Sequence, residues 1–436
     1  MKNTKLYLFF LLFLLLGGPI FAQNTLSLKQ AFELALQQNY SIQIASNELE
    51  IAKKNNVMGN AGMLPVLTGT MNQDNQIQDT KQEFLGGNKN NKNGARSNQL
   101  NGGVEMSWTL FNGMKMFASK SRLAELEAMG ELKLRQQMEN TLSKVAKSYM
   151  DLLLIREQIK SAKSFIEISE KRLEIAKAKV LAGKSSKSEV LNAQVNVNSD
   201  LAAYKKLETN YRNSKLSLNQ LLGKDIDFTF EPSDSLEPKE KMALEELRNL
   251  ARKNNTGLRM AEVNKEIALL QMREIKGERY PVFQVKGGYL FNQQQSQAGF
   301  LQSSNTNGVH YGAGLNLNIF NGYDVNRRVN NAKLTYRNTD LLLKDSLLKL
   351  DIALAQAYNV YLTNIDLFHF EENNLDVARQ NFEISQAQQE QGMISSNDLR
   401  IAQVNYLQNV NRLLQAAYDA MLSEIELKRL SGSLLK

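Results

Sequence analysis

Leu110-Phe111-Asn112-Gly113 recurs as Ile319-Phe320-Asn321-Gly322, 209 positions further along the chain. The same offset pairs Tyr149 with Tyr358, Gly183 with Gly392 and Gly223 with Gly432. It also pairs Ala193-Gln194-Val195-Asn196 with Ala402-Gln403-Val404-Asn405. Upstream of the first motif the offset changes to 216, linking Leu28 with Leu244, Ala35 with Ala251, Asn39 with Asn255 and Pro65 with Pro281. The difference must therefore fall between Pro65 and Phe111, where the first half carries a longer loop. A constant offset over so long a stretch marks an internal duplication. It divides the chain into a first repeat over residues 23–223, an inter-repeat segment over 224–241 and a second repeat over 242–436.

Each repeat carries the same series of patterns. An opening helix (Leu26 to Met63, and Leu244 to Arg279) stops just before a proline, which pushes the preceding residue toward extended geometry. Two alternating segments follow, predicting strands at about 66–74 and 100–111 in the first repeat and about 282–292 and 309–320 in the second. On the second strand Val104, Met106, Trp108 and Leu110 share one face, opposite Gly103, Glu105, Ser107 and Thr109. Val309, Tyr311, Ala313 and Leu315 likewise oppose His310, Gly312 and Gly314. A proline-free stretch then predicts a very long helix, Met114 to Ala182 and Tyr323 to Gln391. A glycine turn leads to a closing helix, Ser186 to Leu222 or Ser395 to Leu430. Along the long helix Val145, Leu152, Ile159, Ile166, Leu173 and Val180 repeat every seventh residue, matched by Leu354, Tyr361, Phe368, Leu375 and Phe382. The closing helices add Val190, Val197, Tyr204, Tyr211 and Leu218, then Leu399, Tyr406, Leu413, Ala420 and Leu427. A sustained seven-residue period favours left-handed coiled packing.

Strands of about ten residues are long enough to cross a membrane when tilted. Four of them cannot close a barrel, and even eight leave an interior filled by side chains. If they span a membrane, several copies must share one wall; three would supply twelve strands and a lumen. The pattern alone does not select three, and alternation also suits a half-buried soluble sheet.

The rest of the sequence bounds the function. Lys2 and Lys5 precede an apolar run from Leu6 to Leu16 and a small residue at Ala22, the order of a secretory signal peptide over residues 1–22. The run is shorter than the roughly 20 residues that a spanning helix needs. The chain has no cysteine and two histidines, His310 and His369, which excludes disulfides, thiolate sites and multi-histidine metal sites. No cofactor or metal is expected. The net charge of +8 is spread over mixed-charge helix faces such as Glu167 to Lys179, which argues against nucleic-acid binding. Phosphate loops, nucleophile elbows and dinucleotide fingerprints are missing, so the chain reads as no enzyme. A secreted coiled-coil scaffold or adhesin with a soluble β-module is the alternative that the same patterns allow.

The signal peptide, the tandem helix–two-strand–long-helix–helix unit and the paired FNG motifs together resemble the TolC family of outer-membrane efflux proteins, over residues 24 to 432. The resemblance implies a mainly α fold with a membrane β-barrel. Three chains would build a twelve-stranded barrel in the outer membrane, and their helices a coiled-coil barrel across the periplasm. It implies an exit duct for efflux or type I secretion, working with a periplasmic adaptor and an inner-membrane pump. Residues 224–241 would lie at an equatorial belt, and the polar loops Gln73 to Gln99 and Asn292 to Gly308 would face outside.

The turns at Gly183 to Glu189 and Gly392 to Asp398 would be the periplasmic tips. From local chemistry, Ser186-x-x-Glu189 and Ser395-x-x-Asp398 read as capping boxes, and each glycine suits the left-handed end of the helix before it. The resemblance adds that Glu189 and Asp398 would form rings of negative charge in a narrowed pore. Gln389, Ile394 and Ile401 depart from the family pattern at the tip, so its closing network differs from the prototype. Neither cargo nor pump is legible.

Overall fold

The computed structural model of the chain describes residues 25–238, 242–299 and 301–435. The signal-like segment and the last three residues of the inter-repeat segment lie outside them. The elements are β1 (Thr25–Leu26), α1 (Leu28–Gln38), α2 (Tyr40–Asn55), β2 (Val66–Glu83), β3 (Lys89–Asn112), α3 (Lys115–Leu181) and α4 (Lys187–Leu222), then β4 (Glu231–Pro232), α5 (Leu244–Asn254), α6 (Thr256–Gly277), β5 (Val282–Ser296), β6 (Ser303–Asn316), α7 (Asp324–Glu390) and α8 (Ser396–Leu430). At 1.5 Å per residue the 67-residue helices α3 and α7 each run about 100 Å.

Two compact units cut across the sequence repeats. One contains the described residues up to Ile44, Arg135–Thr256 and those from Leu348 onward; the other contains Ala45–Leu134 and Gly257–Leu347. In the first unit the seven-residue series form the helix-packing seams: none of the residues named above is exposed, and Val145, Leu152, Leu354, Tyr361, Leu218 and Leu427 are fully buried.

The residues that recur at the two offsets touch one another in this unit. Tyr149 Oη donates to the Leu26 carbonyl at 2.7 Å, and Tyr358 Oη to the Met242 carbonyl at 3.0 Å. Asn39 Nδ2 donates to the Leu221 carbonyl at 2.8 Å, and Asn255 Nδ2 to the Leu430 carbonyl at 3.0 Å. Gly223 lies against the Gln38 carbonyl and Gly432 against that of Asn254, both in the left-handed conformation. The start of each repeat is thus clasped to its end. The same asparagines correct the expected single opening helix. Asn39 is extended (ψ 124°) and ends α1, while its Oδ1 accepts from Ser41 N at 2.9 Å to start α2; Asn255 (ψ 120°) makes the second break. Of residues 224–241, Phe230 is buried in the helix core, Glu231–Pro232 pairs in parallel with Thr25–Leu26, and Arg156 binds the Pro232 and Asp234 carbonyls.

The second unit holds an antiparallel sheet in the order β2-β3-β5-β6. Its hairpins repeat the same register: Leu67 faces Met106 and Val66 faces Ser107, as Phe283 faces Leu315 and Val282 faces Asn316. One face carries apolar rows such as Leu67–Met106–Gly287–Tyr311 and Gly69–Val104–Tyr289–Val309, with the large side chains exposed. From the row Asn72–Asn101–Asn292–Thr306 outward both faces become largely polar, yet the strands continue to Glu83 and Ser296. Most of the segments expected as loops are therefore paired strand. Hydropathy alternation stops where the apolar surface stops, whereas backbone pairing does not. At the other end β6 stops at Asn316, short of the expected Phe320.

Each FNG motif turns strand into helix through two successive left-handed residues, Gly113 (φ 68°) with Met114 (φ 66°) and Gly322 (φ 63°) with Tyr323 (φ 62°). A Cβ on Gly113 would lie 2.1 Å from the Gly277 carbonyl oxygen, while one on Gly322 would meet nothing within 4 Å.

Gly183 and Gly223 have nearly the same φ, but only Gly223 is enclosed, its added Cβ falling 2.3 Å from the Gln38 oxygen. Gly183→Ala is expected to cost about 1–2 kcal/mol, the left-handed penalty alone. Gly223→Ala adds overpacking and should cost about 3 kcal/mol or more. Urea unfolding of the detergent-purified variants measures the difference; equal losses would contradict the clasp.

Candidate functional site

The two tip turns lie in the first unit, between α3 and α4 and between α7 and α8. Gly183 (φ 68°) and Gly392 (φ 76°) close the long helices as expected. The caps that follow differ. Ser395 caps α8 in a complete box: its Oγ accepts from Asp398 N at 3.1 Å, and Asp398 Oδ2 accepts from Ser395 N at 3.0 Å and Ser395 Oγ at 2.7 Å. Ser186 occupies the equivalent place on α4 but makes no side-chain cap bond. Glu189 turns away instead, accepting from Ser185 Oγ and, across to the other turn, from Ser396 Oγ at 2.5 Å. The expected second capping box is thus a bridge between the two turns, with Glu189 held by the Ser185 and Ser396 hydroxyls instead of by Ser186.

Hydroxyl bonds from Ser185 and then Ser396 hold the Glu189 carboxyl below its ordinary range, and Ser395 does the same for Asp398. A lowered folded pKa means that these bonds favour the folded arrangement above the ordinary carboxylate pKa and lose that effect as pH falls through the lowered value. Both acids are therefore ionised at neutral pH.

Behind the bridge lies a polar cluster that sequence reasoning missed. Arg400 makes a two-pronged ion pair with Asp200, at 2.6 and 2.8 Å. Ser169 Oγ donates to Asp200 Oδ2 at 2.7 Å, and Gln403 Nε2 donates to Ser169 Oγ at 3.0 Å. Arg172 donates to Gln403 Oε1 at 2.8 Å and to the Ser396 carbonyl at 2.5 Å. Burial and the neighbouring Arg400 push the Arg172 guanidinium below its usual range, with Asp200 and Glu189 opposing. The cluster joins α3, α4 and α8 directly beneath the turns. Gln403 belongs to the recurring Ala-Gln-Val-Asn motif, a signal that was visible; Arg172, Asp200 and Arg400 read as ordinary surface charges because no local pattern shows burial. A cavity of about 700 Å³ opens beside it, lined by Arg172, Lys179, Glu189, Gln389 and Ser396 among others. Ile394, at a departing position, packs with Phe382, Leu399 and Ala402, while Ile401 stays exposed. Among the described residues no group of three or more His, Asp or Glu could hold a metal, and no helix is long and apolar enough to cross a membrane.

The outer membrane efflux protein family model matches residues 31–224 and again 247–433. The chain belongs to this family. Among solved structures, the outer-membrane channel OprN superposes with a TM-score of 0.75 at 18% identity, covering 93% of this chain and 90% of OprN. The open-state outer membrane channel MtrE of Neisseria gonorrhoeae gives 0.74 at 18%, covering 93% and 89%. These outer-membrane channels share the fold of long helices and antiparallel strands described here. Protein CyaE of Bordetella pertussis is 23% identical over 272 residues, 61% of this chain and 56% of CyaE. The chain spans about half the length of the curated relatives it matches.

Asp200→Ala would leave Arg400 and Arg172 side by side without their carboxylate. Breaking such a largely buried pair is expected to cost roughly 2–4 kcal/mol of local stability. Hydrogen exchange of the amides at 396–403 should accelerate accordingly; unchanged protection there would remove the cluster from the tip's support.

Proposed function

We propose that the chain, after loss of residues 1–22, is the passive exit duct of an efflux or type I secretion assembly. Two repeats per copy, joined by the equatorial segment, would form a trimer with twelve strands in the outer membrane and the helices in the periplasm. The carrying observation is the sheet itself: four strands, an exposed apolar face, and two edges with no partner among the described residues.

The duplicated register supports closure by further copies. Within one chain β3 pairs with β5, Met106 facing Gly287. Moving each residue by its repeat offset gives Leu315 on β6 facing Met71 on β2. One chain has β2 and β6 at opposite edges, so this pair belongs between copies, with Leu315 against Met71 of the partner subunit. The open space at Gly322, beside the filled space at Gly113, fits the same missing neighbour. Closure would give the edge of β6 a backbone partner through the apolar zone, as hydrocarbon demands.

At the two turns, Glu189 and Asp398 would narrow the resting pore by charge, and the cavity beside Arg172 and Lys179 would receive an adaptor that pulls the tips apart. The energy would come from an inner-membrane pump.

In planar bilayers the wild-type protein should carry small cation-favouring currents that divalent or trivalent cations block from the tip side. Replacing both acids (Glu189→Ala with Asp398→Ala) should raise conductance and weaken the block at least several-fold. Unchanged conductance and block would contradict the gating assignment.

A further inference from the structure

The apolar zone of the sheet, Val66–Met71, Gly102–Asn112, Val282–Phe291 and Asn307–Asn316, contains one acid, one lysine and one histidine: Glu105, Lys286 and His310. Strand alternation could have scattered them over both faces. Register places all three on the face opposite the exposed apolar rows. Glu105, Gly288 and His310 lie in one row, and Ser107, Lys286 and Gly312 in the next. His310 leans across Gly288 toward Glu105: a Cβ on Gly288 would fall 2.9 Å from His310 Cε1, and Nε2 stands 3.9 Å from Glu105 Oε2. His310 Nδ1 is buried and makes no hydrogen bond. The repeats diverge here, since the offsets align Glu105 with Gly314, Lys286 with Thr70 and His310 with Asn101.

We infer that these residues form a charged belt inside the barrel that sets its ionic preference. The inference rests on the duct reading above. The repeat-derived register brings two further side chains of an adjoining copy to the belt. Gln76 of the partner subunit falls opposite His310, and Asp74 of the partner subunit falls in the row of Lys286. The charged groups of the belt are then Glu105, Lys286 and Asp74 of the partner subunit, with His310 reaching across Gly288 toward Glu105. Two carboxylates and one ammonium leave one net negative charge per copy at neutral pH, which favours cations in the lumen.

The test is the reversal potential of the intact protein in planar bilayers under a tenfold potassium chloride gradient at neutral pH. Glu105→Gln should lower the cation-to-anion permeability ratio by about half or more, and Lys286→Gln should raise it. A ratio unchanged in both variants overturns the belt while leaving the duct intact. Absence of any wild-type current overturns the duct reading and the belt with it.

Discussion

A backbone amide or carbonyl that faces hydrocarbon without a partner costs several kcal/mol, and β2 and β6 each present an edge of such groups beside the apolar rows of the sheet. The duplication explains why the edges exist. Each repeat contributes a hairpin, and β3 of the first meets β5 of the second, which leaves β2 and β6 at the edges. Under the proposed closure, strand pairing, the polar face and the exposed apolar face answer that single constraint. The helical part obeys a different one, in which seven-residue seams bury side chains and asparagine–glycine clasps tie the start of each repeat to its end.

Much of the architecture was legible because it repeats. Long helices without proline, the glycine turns and the strand alternation are local signals, and the two offsets told which residues correspond. What they could not tell is that corresponding residues touch: Asn39 breaks a helix because its side chain serves two helix ends at once. Strand ends were misplaced for a related reason. Hydropathy records where a strand meets an apolar medium, and beyond Asn72 and Asn292 the pairing continues without that signal.

At the tips, the glycines and the Ser395–Asp398 box followed from cap chemistry, while Ser186–Glu189 matched the same pattern and did otherwise. A capping box competes with any better donor in space, and Ser396 stands 207 positions away in sequence. The Asp200–Arg400 pair lay below detection because an ion pair between two helices 200 positions apart leaves no periodicity. Both halves share the scaffold residues and an acid at the turn, Glu189 and Asp398, which differ in their hydrogen bonds; within the sheet the charges of Glu105, Lys286 and His310 have no counterpart in the other repeat.

Because the chain contains no cysteine, introduced thiols report strand neighbours without background. Met71→Cys and Leu315→Cys, carried together in the membrane-inserted protein, test the edge-to-edge union directly. The account predicts disulfides between copies, in a ladder that ends at three chains, and dimers only when the two single variants are mixed. A bond within one chain, or none in inserted protein under oxidation, would contradict it.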